Sequence, residues 1–156
     1  MIEKVQLFQN LLNKVRNIAR ESLPTVDRLD KICKLLKENV PGYDWVGFYM
    51  VNPEDKKELI LGPFSGEPTE HIRIPFGKGI CGRAAETEQI FIVDDVAEET
   101  NYLSCNPRVK SEIVLPIFKN KEIIGELDLD SHAVAAFEKE DEDFLGEICK
   151  IVSRIL

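Results

Sequence analysis

The sequence predicts an α+β domain in which helices pack on one face of an antiparallel sheet of about six strands. Three observations lead to this prediction. Apolar residues recur at helical spacing at both ends of the chain, short apolar or alternating runs fill its middle, and polar turns separate those runs. The 156 residues, of which 44% are hydrophobic, are enough for one domain with a real core, which we expect to span residues 1–156.

The expected elements fall into two parts, with helices in residues 1–40 and the sheet, the pocket loops and a last helix in residues 41–156. The predicted helices run from Ile2 to about Ser22, from Thr25 to the residue before Pro41, from Ile80 to about Glu88 and from Glu138 to about Leu156. The predicted strands are Trp45–Val51, Glu58–Leu61, His71–Ile74, Ile90–Val93, Ser111–Phe118 and Glu122–Ser131, the last two joined by a tight turn near Asn120.

Charge and composition exclude several classes of function. A net charge of −8 repels a polyphosphate backbone, so we expect no nucleic-acid partner. No apolar run is long enough to span a membrane and the N-terminus does not resemble a signal peptide, so we expect a cytoplasmic protein without a membrane partner. The two histidines, His71 and His132, lack metal-ligand spacing, and we expect no metal site.

The strand predicted over Glu122–Ser131 carries three acids on one face. Side chains alternate along a strand, so Glu126, Asp128 and Asp130 lie on one face and leucines lie on the other. Two interpretations remain open: a solvated outer face, or a pocket whose acids bind a cation or keep protons. In the second case Glu112 could join the cluster, which would suit a ligand with an ammonium group and disfavour a phosphate.

Two of the four cysteines are candidates for chemistry. Cys81 lies near the start of a predicted helix, where backbone N–H groups would lower the pKa of its thiol; alternatively it is a small buried residue packed by glycines. Cys105 lies in a long loop, Glu98–Lys110, and is either a nucleophile near basic residues or an ordinary loop thiol. Cys33 and Cys149 fall on apolar helix faces and are expected in the core.

Several short motifs resemble those of GAF domains and, among these, of the free methionine-(R)-sulfoxide reductase family. The similarity runs from about Trp45 to the C-terminus. Its motifs, in family order, are Trp45-Val-Gly-Phe-Tyr49, Leu61-Gly-Pro-Phe64, Arg73-Ile-Pro-Phe-Gly-Lys-Gly-Ile-Cys-Gly82, Ser111-Glu-Ile-Val-Leu-Pro116 and Leu127-Asp-Leu-Asp-Ser131. The resemblance implies a GAF-like fold, with helices on one face of the sheet and a loop-covered pocket on the other.

The resemblance also implies roles for particular residues. Cys105 matches the family's catalytic cysteine and Cys81 its second motif cysteine. The acids that hold the substrate and help protonate its oxygen match Glu112, Asp128 and Asp130. Trp45, Tyr49 and Phe64 would contact the substrate. Activity would need no cofactor beyond an external thiol reductant such as thioredoxin, and a homodimer is expected.

Two places depart from the family: the segment around Cys105, Tyr102-Leu-Ser-Cys-Asn-Pro107, differs from the family's usual His-Ile-Ala-Cys-Asp, and one cysteine is replaced. A third cysteine, ten residues before Cys81, usually forms the recycling disulfide, and this chain has His71 there. Recycling would therefore use Cys81, in a Cys105–Cys81 disulfide, or an external thiol. The alternative is a non-catalytic sensor that binds a small molecule and acts with a partner in trans, because Asn120-Lys121 followed by Phe137-x-x-x-Asp141-Glu142 resembles a signature of cyclic-nucleotide-binding GAF domains.

Overall fold

The computed structural model describes residues 2–100, 102 and 106–156. Within them lie four α-helices, one short 3₁₀ helix and six strands. The helices are α1 (Ile2–Ala19), α2 (Thr25–Asn39), α3 (Gly79–Thr87) and α4 (Lys139–Ser153), with the 3₁₀ turn over Val96–Glu98. The strands are β1 (Trp45–Asn52), β2 (Asp55–Ser65), β3 (Arg73–Pro75), β4 (Phe91–Val93), β5 (Ser111–Lys119) and β6 (Glu122–Ser131).

The six strands form one sheet in the order β3-β2-β1-β6-β5-β4, and every neighbouring pair is antiparallel. The α+β prediction with about six antiparallel strands is therefore confirmed. A two-residue turn joins β5 to β6. Asn120 and Lys121 both have positive φ, 53° and 67°, which is the backbone of a type I′ hairpin turn.

Helices α1, α2 and α4 cover one face of the sheet, as expected. Their apolar stripes meet the alternate apolar residues of β1, β5 and β6 in one continuous core. Phe8 of α1 stacks on Phe144 of α4 with ring centroids 4.0 Å apart, and Leu127 and Leu129 of β6 are fully buried beneath the helices. Cys33 and Cys149 belong to this core, which confirms the prediction for both.

Some element boundaries differ from the predictions. Helix α1 ends at Ala19 because the guanidinium of Arg28 donates to the Ala19 carbonyl at 2.7 Å and the chain turns there. Strand β2 extends to Ser65, four residues beyond its predicted end, because it pairs with β1 along most of its length. Strand β3 starts two residues later than predicted, at Arg73.

The face of the sheet opposite α1, α2 and α4 is covered by α3 and by connecting segments. A second, smaller apolar cluster lies there, with Ile80, Ala84 and Ala85 of α3 packed over the sheet. Among the described residues, no helix combines the length and the apolar character needed to cross a membrane.

Candidate active site

The pocket floor is a grid of side chains on β5, β6 and β1. One row across these strands is Glu112, Asp130 and Trp45, the next is Val114, Asp128 and Gly47, and the third is Pro116, Glu126 and Tyr49. Directly opposite residues in antiparallel strands have side chains about 5 Å apart. This register brings together Glu112 and Asp130, which are distant in the sequence, and sets Asp128 in the next row.

Trp45 and Tyr49 form an aromatic wall on the β1 side of this grid. Their ring centroids are 6.4 Å apart, and both residues are buried. The Trp45 indole N–H donates to the Glu67 carbonyl at 2.9 Å, and the Tyr49 hydroxyl donates to the His71 carbonyl at 3.0 Å. The Trp45 ring lies across Gly47, where a Cβ would be 2.3 Å from the ring, so only glycine fits there.

Phe64 supports this wall from behind and is not among the residues that line the closed cavity. It lies on β2 and stacks on Trp45 with ring centroids 5.5 Å apart and an interplanar angle of 16°. Its predicted contact with a substrate stays a prediction, and the contact that the structure shows is the one with the Trp45 ring.

Cys81 enters the pocket from α3. Gly79, the first residue of this helix, has φ +64°. Gly82 lies so close to β3 that a Cβ would be 2.5 Å from the Pro75 carbonyl oxygen. These two glycines turn the chain sharply and lay α3 on the sheet. The Cys81 Sγ then lies 4.0 Å from Oε2 of Glu112 and within 4.8 Å of a carboxylate oxygen of Asp128.

The environment of Cys81 does not produce the acidic thiol expected at a helix N-terminus. Burial raises the pKa of Cys81 well above its ordinary value, and Asp128, Glu112 and Glu126 raise it further. Desolvation and three nearby acids therefore outweigh the partial positive charge of the helix end. The expectation of a lowered pKa was wrong, because the sequence does not show that the acids of β5 and β6 face this thiol.

Three acids that line the cavity, Glu112, Asp128 and Asp130, and the neighbouring Glu126 are protonated more readily than acids in water. Burial raises the pKa of Glu112, Glu126 and Asp130 well above the ordinary range, and the charge of Asp128 adds to the effect on each. Burial also raises the pKa of Asp128, but hydrogen bonds from Glu112 and Cys81 oppose that shift. Asp128 is therefore the acid best placed to carry a negative charge in this cluster.

The solvated-face interpretation of the β6 acids is wrong, since Glu126, Asp128 and Asp130 are all at most 5% exposed. Oδ1 of Asp128, Oδ1 of Asp130 and both carboxyl oxygens of Glu126 have no hydrogen-bond partner among the described residues. Buried acceptors are normally paired. Alternation along β6 correctly predicts that Glu126 lies on the same face as Asp128 and Asp130.

The cavity enclosed by these residues is small, with a volume of about 30 Å³. His71, Lys78 and Tyr102, which were not predicted as site residues, lie on its wall with Trp45, Tyr49, Cys81, Glu112, Asp128 and Asp130. A groove of about 570 Å³ lies beside it and shares Trp45 and Asp130 with it.

Two further predictions concern cysteine and metal chemistry. Cys105 lies outside the described residues, so its predicted role and the Cys105–Cys81 disulfide stay predictions. Cys81, Glu112 and Asp128 are near enough to one another to surround a cation. They are near enough to share protons as well, and we assign no metal to them.

The residues that resemble a cyclic-nucleotide signature form a turn and the start of a helix. Asn120 and Lys121 form the β5–β6 turn. Asp141 caps α4, where its Oδ2 accepts from the Glu138 N–H at 2.9 Å, and its Oδ1 accepts from the Tyr43 hydroxyl at 2.7 Å. Neither segment lines the cavity that holds Cys81.

Comparison with known proteins places the chain in a family. A model of the GAF domain matches residues 23–156. GAF domain-containing protein A of Dictyostelium discoideum is 38% identical over 96% of this chain and 92% of its own length. Free methionine-R-sulfoxide reductase of Saccharomyces cerevisiae is 31% identical, over 98% of this chain and 87% of its own length.

Solved structures agree with the sequence comparison. The X-ray structure of free methionine-R-sulfoxide reductase from Neisseria meningitidis in complex with its substrate superposes with a TM-score of 0.89. The two chains are 34% identical, over 95% of this chain and 87% of the other. With this fold, this register of pocket acids and these relatives, the chain belongs to the GAF domain family and is a relative of its free methionine-R-sulfoxide reductases.

Proposed function

We propose that this protein reduces free L-methionine-(R)-sulfoxide to methionine with thiols as the electron source. The observation that carries the proposal is the convergence of Cys81, Glu112, Asp128 and Asp130 in one buried pocket beneath an aromatic wall. The relatives from Saccharomyces cerevisiae and Neisseria meningitidis that bear the reductase name support the same reaction.

The unpaired acceptors of the pocket favour a ligand with an ammonium group. Oδ1 of Asp128 and Oδ1 of Asp130 are buried without a hydrogen-bond partner among the described residues. A free amino acid brings an ammonium donor to such oxygens, whereas a methionine residue inside a protein has no such group. The Trp45 and Tyr49 rings then contact the apolar part of the ligand side chain.

Glu112 is the proton donor in the proposed mechanism. Burial holds the pKa of Glu112 well above the ordinary range, and hydrogen bonding to Asp128 and Asp130 helps it to keep its proton. A carboxylic acid that is protonated near neutral pH acts as a general acid. Asp128, whose hydrogen bonds favour its ionised form, would pair with the substrate ammonium.

The thiol steps follow from the resemblance of Cys105 to the catalytic cysteine. The Cys105 thiolate attacks the sulfoxide sulfur and forms a sulfur–sulfur bond while Glu112 protonates the sulfoxide oxygen. That oxygen then moves to the Cys105 sulfur as the sulfur–sulfur bond and the sulfur–oxygen bond to the substrate break. The products are methionine, reduced by two electrons, and a Cys105 sulfenic acid. The Cys81 thiol then condenses with the sulfenic acid to a disulfide and releases water, and an external dithiol such as thioredoxin reduces that disulfide.

The test is formation of methionine from free methionine-R-sulfoxide with dithiothreitol as reductant. We expect turnover by the wild type, no turnover by Cys105→Ser, and turnover by Cys81→Ser that is slower under a disulfide-specific reductase such as thioredoxin. Cys33→Ser serves as the matched control, because this thiol is buried in the helix-side core.

Other outcomes would redirect the proposal. Absence of turnover in the wild type under both reductants would leave a GAF domain that binds a small molecule without converting it, acting with a partner in trans. Turnover by Cys105→Ser would keep the reaction and reject Cys105 as the nucleophile. The cytoplasmic location and the homodimer expected from the sequence remain proposals, which fractionation and sedimentation can test.

A further inference from the structure

The thiol of Cys81 is enclosed by carboxyl groups on two neighbouring strands. Glu112 approaches it from β5, and Asp128 and Glu126 approach it from β6. Cys81 itself is 5% exposed and Glu126 is fully buried. At this depth water screens little, so a charge on one of these groups strongly affects the others.

Glu126 is the member of this set that the proposed reaction does not use. Its neighbours across the sheet are Tyr49 and Pro116, which bring no positive charge, and α3 lays Ala84 and Ala85 over this face. Both carboxyl oxygens of Glu126 lack a hydrogen-bond partner among the described residues. A buried carboxyl group keeps its proton to a higher pH than an exposed one, and once it ionises its negative charge raises the pKa of the neighbouring Cys81 thiol.

The other polar groups around Cys81 do not offset the acids. On its own helix Lys78, the N-cap residue, is exposed, and on β1 the Tyr49 hydroxyl donates to the His71 carbonyl. Tyr102 and His71 also line the cavity. The charge that reaches the thiol most directly is therefore the negative charge of the acid cluster, with Asp128 its principal carrier.

We propose that ligand binding activates Cys81: an ammonium group that pairs with Asp128 neutralises the charge holding the proton on this thiol, and Cys81 becomes a better nucleophile only while the pocket is occupied. This inference rests on the proposed function, because it takes a free amino acid as the ligand. The acids that bind the ligand would then also control the reactivity of the Cys81 thiol.

Thermodynamic linkage gives the direction in which ligand binding changes the pKa of Cys81. If a cation at Asp128 favours the Cys81 thiolate, the thiolate must favour the bound cation by the same free energy. An opposite charge within about 4–6 Å lowers a pKa by about 1–3 units. Disulfide formation in the empty pocket would then be slow, and Cys81 would react with the Cys105 sulfenic acid only after a ligand has bound.

The experiment measures the titration of Cys81 directly, without turnover. In Cys105→Ser the remaining thiols other than Cys81 are Cys33 and Cys149. Burial raises the pKa of Cys149 to about 12 and that of Cys33 further, so the three thiols are followed separately by NMR of isotope-labelled cysteine, with the Cys81 signal assigned by its loss in Cys81→Ser. The titration is run alone, with L-methionine, and with 4-(methylthio)butanoate, which lacks the amino group. Calorimetry measures binding of both compounds independently.

We expect L-methionine to lower the pKa of Cys81 by about one unit or more and 4-(methylthio)butanoate to leave it unchanged. Binding of methionine without a shift would overturn this inference and leave the proposed function standing. Failure of methionine and of its R-sulfoxide to bind would instead reject the ligand class on which the proposed function depends.

Variants of Glu126 test the acid cluster without any ligand. Glu126→Gln keeps the shape and removes the acid, and we expect the pKa of Cys81 to fall and the rate of Cys105–Cys81 disulfide formation in the ligand-free protein to rise severalfold. Glu126→Leu is the second variant if the amide destabilises the fold. Glu122→Gln, on the same strand but exposed and paired with Lys56, is the matched control and should leave both quantities unchanged. An unchanged pKa in both Glu126 variants would contradict the proposal.

Discussion

Asp141 and Asp128 are both almost wholly buried, and they differ in what surrounds them. Asp141, 1% exposed, accepts hydrogen bonds from Tyr43, from Lys4 at 2.7 Å and from the backbone at the start of α4. Asp128, 4% exposed, keeps an oxygen without a partner among the described residues and has three other acids nearby.

This contrast separates an acid that stabilises the fold from an acid that is available to a ligand. Around Asp141 the fold supplies a cation, a hydroxyl and a backbone N–H, so burial of the charge is compensated. Around Asp128 the fold supplies other carboxyl groups, a thiol and aromatic rings, and compensation is incomplete. Buried acids that the protein itself leaves unsatisfied are therefore the ones to examine for binding and catalysis.

Replacement of Asp128, the acid available to a ligand, should give the largest effect on activity. We expect Asp128→Asn to reduce kcat/KM for free methionine-R-sulfoxide by about 100- to 1000-fold, because a charge that positions the substrate is lost. The free energy of unfolding should stay the same or increase, since a buried, poorly compensated charge is removed. Steady-state kinetics and urea unfolding of the same sample measure both. A loss of activity that parallels a loss of stability would show that Asp128 resembles Asp141 after all.

Replacement of Asp141, the acid that stabilises the fold, should lower stability and leave activity nearly unchanged. We expect Asp141→Ala to lower the free energy of unfolding by about 2–4 kcal/mol, because the α4 cap is lost and the Tyr43 hydroxyl and the Lys4 ammonium lose a buried partner. The kcat of the folded fraction should change less than twofold, because Asp141 does not line the pocket. A large decrease in kcat at full stability would break the comparison.

The pH dependence of stability should sharpen the comparison further. The pKa of Glu126 is raised on folding, so the folded state binds more protons than the unfolded state above the ordinary pKa of a glutamate. Stability from this group is complete below that ordinary value and decreases as pH rises towards the raised value. Glu126→Gln should therefore flatten the decline of stability between about pH 5 and pH 9, with a gain of about 1–2 kcal/mol at the alkaline end.

Urea unfolding at several pH values measures this slope. Glu122→Gln is the control at the exposed start of the same strand, where the side chain is 61% exposed, and it should change stability by less than about 0.5 kcal/mol at any pH. Identical slopes for the wild type and Glu126→Gln would mean that Glu126 is ionised in the folded protein and has a partner.

Part of this contrast was predictable from the sequence. Alternation along β6 placed Glu126, Asp128 and Asp130 on one face, and motif similarity singled out Glu112 and Cys81. Asp141 lies in a segment that resembles a ligand-binding signature and that also suits the start of the last predicted helix, where the structure places it. Its actual partners, Tyr43 and Lys4, lie 98 and 137 residues away, so no local pattern could predict them.

By itself the sequence determined the order of helices and strands, the six-stranded antiparallel sheet and the two faces of β6, because these depend on local periodicity and turn chemistry. Tertiary structure decided that both faces of β6 are buried, since α3 covers the acid face while α1, α2 and α4 cover the leucines. It also decided that Cys81 lies among acids. The protonation of a thiol depends on burial and on charges a few ångströms away, and only the folded chain brings those charges to it.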